Sequence, residues 1–138
     1  MADIIRFFVD TSYVLGIYNK GDQFHRVCVE AMPLAQKAQK LYTTDAVLME
    51  IGNTFSAIQR RKQGSRIMRD FLASPQVIVE HLTPEYFEDA LSLYEERTDK
   101  QWGMVDCFSF VIMRKLKLKA CLGTDHHFIQ AGFKNLPF

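Results

Sequence analysis

The chain has 138 residues, 48% of them hydrophobic and 24% charged, which suits one folded domain over residues 1–138 and excludes a low-complexity or disordered protein. Lys and Arg total 17 against 16 Asp and Glu, a formal net charge of +1, which excludes a protein that grips nucleic acid by bulk charge alone. No apolar run approaches the roughly 20 residues of a membrane span, and the apolar start, interrupted by Asp3 and Arg6, is too short for a signal peptide. A cytoplasmic protein with no membrane association is expected. The three cysteines, Cys28, Cys107 and Cys121, are far apart in sequence and flanked by apolar residues. That predicts reduced, buried thiols rather than a disulfide framework or a zinc site.

In chain order, Ile4-Ile5-Arg6-Phe7-Phe8-Val9 reads as a buried strand that ends at Asp10-Thr11-Ser12. Residues 23–40 carry a rough helical pattern broken by Pro33, and Leu41-Tyr42-Thr43 is a short strand candidate. Thr44-Asp45 looks like a cap for a helix from Ala46, whose Val47, Ile51, Phe55 and Ile58 share one face. Gln63-Gly64-Ser65 is expected to stop that helix, and residues 66–73 to form another. Val77-Ile78-Val79 reads as a strand. Thr83-Pro84-Glu85 opens a helix, with Pro at its first position and an acid in its first turn. After a polar loop over residues 98–101, an apolar helix is predicted over 105–116 and a last buried strand over 120–123. A short helix and a tail complete the chain to Phe138. Strands alternate with helices throughout, which predicts an α/β fold with a mainly parallel sheet covered on both faces.

In such sheets ligands bind beyond the carboxyl ends of the strands. Asp10 follows the first strand, Asp125 follows the last, Glu50 lies early in the helix after the second, and Asp106 opens the apolar helix among Met104, Val105, Cys107 and Phe108. A carboxylate in so apolar a run is costly to bury uncompensated. Four carboxylates at one sheet edge with no adjacent Lys or Arg repel one another, and a hard divalent cation, Mg²⁺ or Mn²⁺, relieves the repulsion. Taken singly, an Asp after a strand is more often a cap or turn residue. Asp45 rivals Glu50, though Thr44-Asp45 reads more simply as capping.

Four segments together carry a resemblance. They are Asp10-Thr11-Ser12 after an apolar strand, residues 43–53 from Thr43 to Asn53, residues 102–113 from Trp102 to Met113, and Gly123-Thr124-Asp125-His126-His127-Phe128 with Ala131-Gly132-Phe133. Over essentially the full length the chain resembles the PIN-domain family, and within it the bacterial ribonuclease toxins of the VapC type. The resemblance implies a PIN-like α/β/α sandwich and a metal-dependent ribonuclease. It also implies an RNA substrate, a small antitoxin partner and a homodimer. Carried onto this sequence, the acidic set is Asp10, Glu50, Asp106 and Asp125, with Asp10 and Asp106 as the most direct metal ligands. Thr11, Ser12, Asn53 and Thr124 would support them. One departure stands out: where family members often carry hydroxyl residues before the third acid, this chain has Gly103 and Val105. The support around Asp106 is therefore expected to be thinner.

The chemistry these residues suit is hydrolysis of a phosphodiester by metal-activated water. Ser109, inside an apolar helix without a neighbouring base, does not suit a covalent mechanism. His126 and His127 suggest an acid–base pair, but adjacent positions do not share a helical face, and surface-turn residues are the simpler reading. Trp102 and Tyr13 are candidates for stacking on bases, with packing an equally good account of Trp102. Arg60, Arg61, Lys62, Arg66 and Arg69, and separately Arg114, Lys115, Lys117 and Lys119, form basic stretches. Each is a solvated face or a rim that tracks phosphates. Two other classes compete: a PIN-fold binding module with weak or no nuclease activity, and a phosphotransfer domain using Asp10 as nucleophile. The second lacks the companion acid such sites need, because residue 12 is Ser and residue 9 is Val.

Overall fold

The computed structural model describes residues 5–136. Five strands form one all-parallel sheet: β1 (Arg6–Val9), β2 (Lys40–Thr44), β3 (Val77–Glu80), β4 (Ala120–Leu122) and β5 (Lys134–Leu136). Their spatial order is β3-β2-β1-β4-β5. The chain therefore builds outward from β1 on one side, then crosses back to build outward on the other. β1 and β4 flank the point where the order reverses, which in open α/β sheets is where a crevice opens at the carboxyl edge.

The helices pack as two groups around this sheet. One comprises α1 (Thr11–Tyr18), α2 (His25–Glu30), α3 (Met32–Lys37), α4 (Asp45–Thr54) and α5 (Arg61–Ala73), with a short 3-10 turn at Ile58–Arg60 before α5. The other comprises α6 (Pro84–Glu96), α7 (Met104–Lys115) and α8 (His126–Gln130). The result is the α/β/α sandwich that the alternation of elements predicts. Among the described residues no helix is long and apolar enough to cross a membrane.

The core is dense in aromatic rings. Phe110 meets Phe128 edge-on at 5.0 Å and Trp102 edge-on at 4.9 Å, and Phe128 lies 6.1 Å from Phe8 of β1. Phe8, Phe110 and Phe128 are wholly buried; each such ring contributes roughly 2–3 kcal/mol by area. This cluster fixes α7 and α8 against β1, and so fixes the elements that carry three of the four acids. Trp102 is buried, and its indole N–H donates to Gln130 Oε1 at 3.0 Å; Tyr13 is buried as well. Both rings are packing residues, not surfaces for bases. Cys28, Cys107 and Cys121 are free and buried, as expected.

Several expectations change. The first strand begins at Arg6; Ile4 lies outside the described residues, as do residues 137 and 138 of the tail. Residues 11–18 form α1, which hydrophobic period alone does not reveal: Tyr13, Val14 and Gly16 are buried together and blur any single apolar face. The break in residues 23–40 falls at Ala31 rather than at Pro33, because Pro33 occupies the first turn of α3, where a missing N–H costs nothing. The expected tail contains β5, which extends the sheet beyond β4.

Gln63-Gly64-Ser65 does not stop a helix. α4 ends at Thr54, and Gly64 lies inside α5. A Cβ at Gly64 would sit 2.6 Å from Phe55 Cβ, so the missing side chain lets α5 approach the end of α4. Helix propensity alone makes a Gly64→Ala variant more stable by about 1 kcal/mol. The contact with Phe55 reverses that sign: we expect a net loss of about 1–3 kcal/mol, read as a lower chemical-denaturation midpoint. A midpoint at or above that of the wild type contradicts this packing.

Candidate metal centre

The carboxyl edge of the sheet carries a cleft of about 360 Å³, lined by Asp10, Thr11, Ser12, Leu15, Glu50, Asn53, Thr54, Asp106 and Asp125. The four acids singled out in the sequence therefore line one cleft. No Lys, Arg or His is among its lining residues. A larger hollow of about 1000 Å³ lies at the opposite edge of the sheet, with Arg6, Lys40, Lys117 and Lys119 in its lining and no carboxylate.

Each acid arrives by a different local device. Asp10 follows β1 and caps α1: its Oδ2 accepts from Ser12 N at 3.2 Å and from Ser12 Oγ at 2.6 Å. Glu50 projects from the middle of α4, which Thr44 caps by accepting from Val47 N, and its Oε1 accepts from Thr11 Oγ1 at 2.6 Å. Asp106 is the third residue of α7 and reaches back to the cap, accepting from Gly103 N at 3.1 Å through Oδ2. Asp125 follows β4 and caps α8, accepting from His127 N at 2.9 Å through Oδ1. Asp10, Asp106 and Asp125 thus cap a helix and line the cleft at once, while Glu50 only lines it. Asp45, the rival to Glu50, turns away: its carboxylate accepts from Leu82 N at 3.0 Å and lies 3.3 Å from His81 Nδ1.

Further contacts tie these devices together. Ser12 Oγ, while donating to Asp10, accepts from Thr124 N at 3.0 Å, joining the end of β1 to the loop after β4. Gly123 allows this approach, since a Cβ there would lie 3.1 Å from Ser12 Oγ and 3.2 Å from Asp10 Cβ. Thr43 Oγ1 donates to Val9 O at 2.8 Å, and buried Asn135 donates to Asp125 O at 2.9 Å. Asn135 comes from the unexpected β5, so the outermost strand also braces the site. Asn53 and Thr54 line the rim, with Thr54 Oγ1 donating to Glu50 O at 3.0 Å.

The electrostatics show carboxylates crowded together. Burial pushes the Asp10 carboxyl up to about 6; the Ser12 donors oppose this, and the charges of Asp125 and Glu50 add to it. Burial also raises Glu50, against the Thr11 hydrogen bond and with help from Asp106 and Asp125. Asp106 is raised by burial and by Asp125, and eased by Gly103 N–H and His127. A site that raises three acids in this way is short of positive charge. Hard oxygen donors in a cleft lined by no Lys or Arg fit a divalent cation of the Mg²⁺ or Mn²⁺ kind.

His127 is the residue whose place the sequence does not settle. Its ring is not a turn ornament: Nδ1 lies 3.0 Å from Asp106 Oδ2 and 3.4 Å from Asp125 Oδ1. Adjacent residues do diverge on a helix, and His126 remains exposed, but His127 lies in the first turn of α8 facing α7. The expected thin support at Asp106 is corrected accordingly, since the Gly103 backbone and His127 supply two donors to one oxygen. Asp125, His126 and His127 also bring one ligand atom each within 4.8 Å of one another. With His127 engaged by two acids and His126 exposed, the oxygen-lined cleft is the better match to a hard cation. Ser109, buried, donates to Val105 O at 3.0 Å and takes no part.

The comparisons with known proteins agree with this geometry. The 23S rRNA-specific endonuclease VapC20 of Mycobacterium tuberculosis, from two strains, is 30% identical over 128 residues, spanning 91% of this chain and 94% of the relative. The crystal structure of Mycobacterium tuberculosis VapC20, described as a sarcin-ricin loop cleaving toxin, superposes with a TM-score of 0.77. That alignment is 28% identical and covers 92% of this chain and 95% of the other. The PIN domain family matches residues 7–134. That span runs from β1 to β5 and takes in every acid of the cleft, and the chain belongs to the PIN domain family.

Proposed function

We propose that the chain is a metal-dependent endoribonuclease of the VapC toxin type, which hydrolyses RNA phosphodiester bonds at the Asp10–Glu50–Asp106–Asp125 cleft. The observation that carries this reading is the convergence of four carboxylates, from four separate elements, on one cleft at the reversal point of the sheet. Those four side chains would hold one or two Mg²⁺ or Mn²⁺ ions. A bound divalent ion supplies Lewis acidity to the phosphoryl oxygens and lowers the pKa of water to make a nucleophile.

The chain's own residues supply position. Ser12 and Thr11 hold one oxygen each of Asp10 and Glu50, and the backbone N–H groups of Gly103 and His127 hold one oxygen each of Asp106 and Asp125 on the other side of the cleft. Among the described residues the second oxygen of Asp10, Glu50 and Asp106 has no hydrogen-bond donor and is open to a ligand. Substrate charge is met from the side: Arg61 and Lys62 line a hollow of about 690 Å³ that shares Asn53 with the cleft. Part of the 60–69 basic stretch thus adjoins the cleft, and phosphates on either side of a scissile bond would meet it. The named activity of VapC20 makes 23S rRNA, and its sarcin-ricin loop, the first substrate to test. The same kinship supports a small antitoxin as partner, a homodimer and a cytoplasmic setting.

The direct test replaces Asp10 or Asp106 with Asn and follows RNA cleavage in Mg²⁺ and in Mn²⁺, alongside induced expression with sequencing of cleaved RNA ends. Loss of a metal-ligating carboxylate should lower cleavage at least about 100-fold and abolish growth arrest. Unchanged rates in both variants would remove the reading and favour a PIN-fold binding module.

Stability gives a second expectation. Asp10 has its carboxyl near 6 in the folded chain against an ordinary 3.8. Between those values the folded state binds more protons, so without metal its stability falls as pH rises, by about 3 kcal/mol from this group. In excess EDTA, Asp10→Asn should therefore melt several degrees above wild type at pH 7.5. The gap should close as pH drops below 4. A variant less stable than wild type at pH 7.5 contradicts the burial of an unrelieved charge.

A further inference from the structure

We infer that His127 is a positioning residue of the metal centre: its Nδ1–H fixes Asp106 Oδ2 and so presents Asp106 Oδ1 to the cation. The inference rests on the metal-centre reading and deepens it.

Three observations meet here. First, Asp106 Oδ2 is engaged from two directions, by Gly103 N at 3.1 Å and by His127 Nδ1 at 3.0 Å, while Oδ1 has no protein donor among the described residues. A carboxylate oxygen that accepts from a backbone N–H is an acceptor for the ring as well, which places the hydrogen on Nδ1. Two donors on one oxygen remove the freedom of the Asp106 side chain to rotate and aim its other oxygen. Second, the ring is itself held. The His127 backbone N–H donates to Asp125 Oδ1, and its neighbour Phe128 is wholly buried against Phe110 and Phe8. The His127 side chain is 20% exposed and that of Asp106 18%, so water competes weakly for the contact. Third, His127 lies against two of the cleft acids at once, Asp106 at 3.0 Å and Asp125 at 3.4 Å. It bridges the first turn of α7 and the cap of α8. This is the arrangement in which an imidazole orients a ligand through one nitrogen without touching the ion.

The test uses a pair of variants. His127→Ala removes the donor; His127→Asn keeps one, because the Asn amide nitrogen occupies the place of Nδ1. Binding of Mn²⁺ alone is measured by titration calorimetry, and RNA cleavage is resolved into kcat and KM, with thermal melting as a check on folding. We expect His127→Ala to weaken Mn²⁺ binding about 10–100-fold and to lower kcat with little change in KM for RNA. His127→Asn should recover Mn²⁺ affinity to within about threefold of wild type, as expected if the donor is what matters. Wild-type Mn²⁺ affinity in His127→Ala overturns the inference. So does a folded His127→Asn variant no better than His127→Ala, which makes the ring a direct ligand instead. Wild-type protein that binds Mn²⁺ in a His127-dependent way yet cuts no RNA supports the positioning role while overturning the ribonuclease reading.

Discussion

Ser12 Oγ donates to Asp10 Oδ2 at 2.6 Å and accepts from Thr124 N at 3.0 Å, and through this one hydroxyl the two strands at the reversal point of the sheet are joined. Asp10 is 5% exposed, and a bare carboxylate so placed is unfavourable by several kcal/mol. Donors from Ser12 offset part of that cost, but the group remains raised to about 6. The fold thus retains a destabilised charge at its centre. Residues that add no stability of their own there are explained by what the charge can hold, and strain of this kind gathers at functional sites.

The other acids repeat the pattern with different partners. Glu50 is fixed by Thr11, Asp106 by Gly103 and His127, and Asp125 by the backbone of α8. In each case the protein donors engage one oxygen of the carboxylate, two of them on Asp10 and Asp106 and one on Glu50 and Asp125. A single donor on each oxygen would satisfy the group and leave nothing for a cation. Donors on one oxygen instead aim the remaining oxygen and leave it under-bonded, which is how preorganised ligand sets keep their geometry before the ion arrives. The alternatives posed for a lone Asp, cap or ligand, are therefore not exclusive: a cap engages one oxygen and orients the other.

Legibility in the sequence followed from how local each signal is. β1 to β4 and α6 and α7 show through because strands buried on both faces read as short apolar runs and long helices carry a stripe. Asp10, Asp106 and Asp125 show because each follows a strand or opens a helix, and Glu50 because it lies in the helix after a strand, positions that an α/β fold gathers at one edge. α1 was hidden by residues buried on several sides, and Gly64 misled because its role is contact with Phe55, not termination. β5 is three residues long, and its membership depends on β4 and on Asn135 reaching Asp125, neither of which is local. The place of His127 was hidden for the same reason. Its partner Asp106 is 21 residues away, and only the packing of Phe128 and Phe110 turns α8 so that the ring meets α7.

Charge reads differently once it is placed. Setting aside the four cleft acids, 17 basic residues face 12 acidic ones, so the near-zero total is a −4 centre within a +5 body. The two are not mixed in space. Arg61 and Lys62 flank the cleft on the α5 side, whereas residues 80–99, with seven acids and one Arg, run from the end of β3 through α6. A polyanion approaching the cleft would be repelled by its bare carboxylates and by α6, and drawn toward α5. Filling the cleft with divalent cations reverses the first of these and leaves the other two. Metal loading would then do more than supply chemistry: it would change the sign of the field at the scissile phosphate, so that RNA binding and metal binding favour one another by linkage. On that account a nearly neutral protein and an RNA substrate are compatible because the cation would belong to the binding surface.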